Sequence, residues 1–170
     1  MEDQIINRIK ESNLITLDLE ELYPDNPRAE FDLSKWLDNG TVLREKVFRA
    51  YAKSHDWSKY NNHFVAIVCK TEAILPAWAS LLISTYVSQF AQKVILGSLE
   101  NLEEFIINDV VYNIDLTKFI DKSVIIKGCT EKKIPENTFV LLTQKLQPVV
   151  KSLFYGEACS SVPLFKKKYN

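Results

Sequence analysis

Two stretches of this chain follow one pattern. His63 to Gly97 reads HFVAIVCKTEAILPAWASLLISTYVSQFAQKVILG, and Ser123 to Gly156 reads SVIIKGCTEKKIPENTFVLLTQKLQPVVKSLFYG. Each has a β-branched run ending in a cysteine, a polar loop with a glutamate, an Ile or Leu before a proline, a helix-like apolar segment, and a second apolar run closed by glycine. Cys69 to Pro76 is seven residues and Cys129 to Pro135 six, while Pro76 to Gly97 and Pro135 to Gly156 are both twenty-one. The pattern predicts a strand-helix-strand unit used twice, over 63–97 and 123–156. Parallel strands need a crossover connection, and a helix is the usual one. The expected fold is therefore α/β: duplicated strand-helix-strand units forming a mainly parallel sheet flanked by helices, in a single domain over 1–170.

Length supports that economy, because 170 residues suffice to bury roughly 70% of the surface of the unfolded chain without disulfides. The formal net charge of -1 supplies no global field for nucleic acid or an anionic membrane, so neither is expected as a partner. The start, MEDQIINRIKES, has no uninterrupted apolar core and predicts no secretory signal. The most apolar stretch, around 75–91, is interrupted by Ser80, Ser84, Thr85, Ser88 and Gln89 and fits a buried helix better than a membrane span. Three widely spaced cysteines match no disulfide scaffold and no CxxC motif, which points to a reducing cytoplasm with free or metal-bound thiols.

Outside the repeats, Ile5, Ile6 and Ile9 predict a short surface helix over 3–12, and the alternation of Ile15, Leu17 and Leu19 predicts a strand. Asp32 can cap a helix through Asp38. A further helix over 41–54 is expected to bury Leu43, Val47, Ala50 and Tyr51. On its charged side, Arg44 and Arg49 are candidates to bind an anionic cofactor. The helix over 76–91 has no charged residue, and its apolar side chains surround most of its circumference. Such a helix must be covered nearly all round, by the rest of the domain, by a protein partner or by a second copy of the chain in a homodimer.

Open parallel sheets place their binding sites beyond the carboxyl ends of the strands. Cys69 and Cys129 fall at such ends and Cys159 lies just past another. If the three converge on one edge, they form a soft donor set suited to zinc or an iron-sulfur cluster, with Glu72 or His55 as candidate fourth donor. Glu131 and Glu157 are further carboxylates within reach of that edge. The thiols also admit a metal-free reading, a thiol-dependent enzyme or sulfur carrier using Cys69 or Cys129 beside a helix N-terminus. A third reading is a non-catalytic interaction module built on the uncharged helix. No glycine-rich phosphate loop and no Gly-x-Ser-x-Gly elbow occurs.

The segments LITLDLEELYP (14–24), LREKVFR (43–49), HDWSKY (55–60), CKTEAILPAWA (69–79), KGC (127–129) and FYGEACSSVPLFKK (154–167) resemble an uncharacterised bacterial family typical of Bacteroidota, catalogued as domain of unknown function 2480. The resemblance covers most of the chain. It implies a setting among gene clusters for iron-sulfur assembly and an accessory role there.

Overall fold

The structure is a computed structural model that describes residues 14–128, 131–157 and 159–168. The helix expected over 3–12 lies outside them. In chain order the elements are β1 (Leu14–Leu17), β2 (Arg28–Asp32), α1 (Glu45–Ser54), β3 (Phe64–Val68), α2 (Ala77–Val87), β4 (Lys93–Leu96), α3 (Leu99–Asn113), β5 (Ser123–Ile126), α4 (Glu136–Leu146), β6 (Ser152–Glu157) and β7 (Ser160–Lys166). The mixed α/β class and the mostly parallel pairing agree with the sequence. The single sheet does not: the strands form two sheets, β2-β3-β4 and β1-β5-β6-β7. The chain divides accordingly into a compact unit over 24–106 and a second one over the residues up to 23 and from 107 on.

In the 24–106 unit all three strands run parallel. The run FVAIV of β3 is continuously apolar because both faces of the strand are covered. Val65 and Ile67 pack with Phe31, Ala79, Ile83 and Val87, while Phe64 and Ala66 pack with Leu102 and Ile106. That is the signature of a parallel strand with helices on both sides. On α2, Ala79, Ile83 and Val87 recur every four residues and are fully buried, which fixes the face turned to the sheet. The chain's own described residues do not cover this helix all round, since Leu81 is 64% exposed.

The second unit pairs β1, β5 and β6 in parallel and closes with β7 antiparallel to β6. Its core joins Leu17, Leu19, Val124, Ile126 and Leu153 to Ile107, Val111, Leu142 and Leu146 from the helices. Pro163 sits on β7, an edge strand and the place in a sheet where proline is tolerated. Neither β2 nor β7 was signalled by alternation, because RAEFD and SSVPLFK carry too few β-branched residues to stand out.

Two helix assignments also change. Residues 33–36 form a short 3-10 helix whose cap is Asp32, accepting from the Ser34 amide at 3.0 Å. Helix α1 buries Phe48 and Ala52, leaving Val47 and Tyr51 exposed.

Candidate functional site: the strand ends of two sheets

At the carboxyl end of the three-stranded sheet, Asp32 closes β2. One of its oxygens accepts from the Ser34 amide, from the Ser34 hydroxyl at 2.7 Å and from the Lys70 amide at 3.2 Å. Burial alone would push this carboxyl up, but those hydrogen bonds and the charge of Lys70 together hold it below the ordinary range. Lys70 ion-pairs with Glu30, which raises its pKa and keeps it an ammonium ion. Cys69 follows β3, half-buried, with its Sγ 3.5 Å from both the carbonyl and the hydroxyl oxygen of Thr71.

The other sheet repeats the theme with different partners. Asp18 follows β1, accepts from the Glu20 amide at 2.9 Å and meets Lys127 Nζ at 2.5 Å just past β5. Burial pushes the Asp18 carboxyl up, yet the Lys127 hydrogen bond, the Glu20 amide and the Lys127 charge outweigh it and the net shift is downward. Lys127 is shifted the other way, first by its hydrogen bond to Asp18 and further by the charges of Asp18, Glu20 and Glu157. It is a firmly protonated cation among carboxylates, not an amine poised for covalent chemistry. Glu157 Oε1, at the end of β6, is buried without a hydrogen-bond partner. Sequence reasoning gave Asp32 only as a cap and passed over Asp18 and Lys127. The signal was present in LDL at 17–19 and FDL at 31–33, an aspartate between two buried apolar residues at a strand end.

His55 stands elsewhere, within a nest of rings. Trp57 lies 4.6 Å from it, Trp36 5.2 Å, Phe31 5.6 Å and Tyr60 6.0 Å between centroids. Its Nε2 is buried and unpaired. Burial, then the charge of Lys59, lower its pKa against the opposing pull of Asp56. Arg44 pairs with Asp38 at 2.7 Å. Arg49 pairs with Glu45 at 2.8 Å and lies over the Trp78 ring at 5.0 Å.

The metal centre expected of Cys69, Cys129 and Cys159 is overturned. Among the described residues no group of three or more His, Cys, Asp or Glu side chains could hold a metal ion. The expectation rested on one sheet with one shared edge, and there are two sheets. Cys69 ends a strand of the first, whereas Cys159 is exposed in the β6–β7 turn of the second; both are free thiols. Cys129 lies outside the described residues. Glu72 is exposed in the loop after Cys69, and His55 is held by aromatic rings. The zinc or iron-sulfur cofactor falls with the donor set.

Fold and strand ends together define a mixed α/β protein with two mostly parallel sheets, whose strand-end aspartates Asp18 and Asp32 are held by hydrogen bonds and lysine charges. Its sequence matches the family model "Protein of unknown function (DUF2480)" over residues 3–167, and the chain belongs to that family. No curated protein and no solved structure matches it. Among the described residues no helix is long and apolar enough to cross a membrane.

Proposed function

We propose that this protein works as a non-catalytic assembly module, and that its partner is a second copy of the chain docked on the α2–β4 face of the 24–106 unit. The observation that carries the reading is the pair Leu81 and Leu96, 64% and 67% exposed, on an uncharged helix and the edge strand beside it. Val94 faces the α2 side of the sheet and Ile95 the α3 side, so alternation puts Leu96 with Val94 on the α2 side. Between the two leucines runs a groove lined by Ser80, Ser84, Ile67 and Val94. An exposed apolar edge strand is a template for another strand.

Charge selects a two-fold arrangement. Lys93 opens β4, and Glu100 stands in the first turn of α3 just beyond its far end. Antiparallel pairing of two β4 strands brings each lysine toward the acidic end of the other copy, whereas parallel pairing would set the lysines side by side. The protruding leucines then meet the groove of the opposite copy. Leu96→Lys and Leu81→Glu change exposed positions, so both variants should keep the wild-type circular dichroism. Light scattering should show a wild-type dimer that both variants convert to monomer; a wild-type monomer at 100 µM, on the order of the weakest useful self-association, rules the reading out.

We also propose that the two units descend from one duplicated segment. Supporting this, α2 and α4 are offset by fifty-nine residues at both ends, as are the buried pairs Val65 and Val124, Ile67 and Ile126, Ile83 and Leu142. Matching bonds recur: Asp56 accepts from the Ser58 amide as Asp115 does from Thr117, and the Asn62 and Asp121 amides donate to Phe90 and Val149. The cytoplasm of a member of the Bacteroidota is the setting we propose, on the free thiols and the family resemblance.

A further inference from the structure

Apart from the α2–β4 face, the 24–106 unit carries a cleft of about 360 Å³ between the 3-10 helix at 33–36 and α1. That volume is at the small end of the range for small-molecule sites. Trp36 and Tyr51 form its aromatic wall, with ring centroids 5.8 Å apart and planes inclined at 39°. Trp36 is locked in place from behind by edge contacts with Phe31, Phe48, His55 and Trp57. Tyr51 is 47% exposed and Val47 beside it 43%, an aromatic and apolar surface left to solvent although the core lies adjacent. The wall is thus rigid on one side and open on the other, the arrangement of a preorganised stacking surface.

The rim is cationic. Arg44 and Lys35 line the cleft with Asp38, and Arg44 is tied to Asp38 while keeping 65% of its side chain exposed. Lys35 adds a positive charge that no carboxylate in the cleft balances. The surrounding segment strengthens the bias. Across 33–55, Lys35, Arg44, Lys46, Arg49 and Lys53 outnumber Asp38 and Glu45, with Asp32 and Asp56 just outside.

We propose that this cleft binds a small planar organic anion: an aromatic or heteroaromatic ring that stacks on Trp36 and Tyr51, with its phosphate or carboxylate held by Lys35 and Arg44. Stacking on an aromatic pair takes any flat ring, and a guanidinium recognises either anion through paired N–H donors. Calorimetric titration with adenosine 5′-monophosphate, benzoate and indole-3-acetate tests it, with adenosine as the ring lacking an anion. At least one of the three anions should bind saturably below about 1 mM, the affinity of a contact worth roughly 4 kcal/mol. Tyr51→Ala, and separately Lys35→Ala, should weaken that binding about tenfold with unchanged circular dichroism, and raised salt should weaken it further. Binding of none of the three anions overturns the proposal. So does binding that both substitutions leave intact, or that adenosine matches where the nucleotide is the anion that binds.

Discussion

His55 shows what a single side chain can disclose about this fold. Its imidazole is enclosed by Phe31, Trp36, Trp57 and Tyr60 with Nε2 unpaired, so the folded state prefers the neutral ring. A lowered folded-state pKa leaves this stability intact above the unfolded value of about 6.5 and removes it as pH falls through the folded value. The melting temperature should therefore drop between about pH 7 and pH 5, in the range where an unperturbed histidine titrates. His55→Phe should flatten that drop, and His63→Gln, which alters a more exposed ring, should not. Asp18 gives the opposite case among the acids. Lys127→Ala strands a carboxylate whose side chain is 12% exposed, and should cost about 1–3 kcal/mol in urea unfolding at pH 7. Because the Asp18 pKa is lowered, that contribution is present above about pH 4 and disappears as acid protonates the carboxyl, so wild type and variant should converge there.

At the scale of elements, the chain declared its strand-helix-strand segments openly. The β-branched runs of β3 and β5, the prolines that precede α2 and α4, and the glycines after or within β4 and β6 were all legible. What lay hidden was partnership. β2 and β7 become strands because β3 and β6 offer them edges, not because RAEFD or SSVPLFK has strong intrinsic preference. Cysteine misled for a related reason. The fifty-nine-residue spacing that aligns α2 with α4 carries Cys69 onto Gly128, so the two thiols are not equivalent even by position. A Cβ at Gly128 would come 2.9 Å from the Tyr155 ring, which would have to shift. Gly156 is more constrained still: its φ is +122°, and a Cβ would meet the Ser160 carbonyl oxygen at 2.6 Å. Gly156→Ala should destabilise the hairpin by about 1–3 kcal/mol or more, measured as a shift in the denaturation midpoint.

For the whole molecule, the decisive feature is that two sheets replace one. A single edge gathering three thiols would have made a metal site; two sheets leave the strand ends furnished with Asp32 and Lys70 in one and Asp18 and Lys127 in the other. Their charges are satisfied internally, which favours a structural role there. Unsatisfied surface lies instead on the α2–β4 face, where apolar side chains stand in water beside an open strand edge. Hydrogen exchange across a dilution series addresses that face directly. If two copies pair through β4, the amides of Val94 and Leu96, which alternate with the Gly97 amide bonded to Ile67 of β3, should lose protection by at least about tenfold on dilution below the dimer range, an opening worth about 1.4 kcal/mol, while those of β3 hold theirs. Exchange at β4 that does not depend on concentration would contradict self-association through this edge.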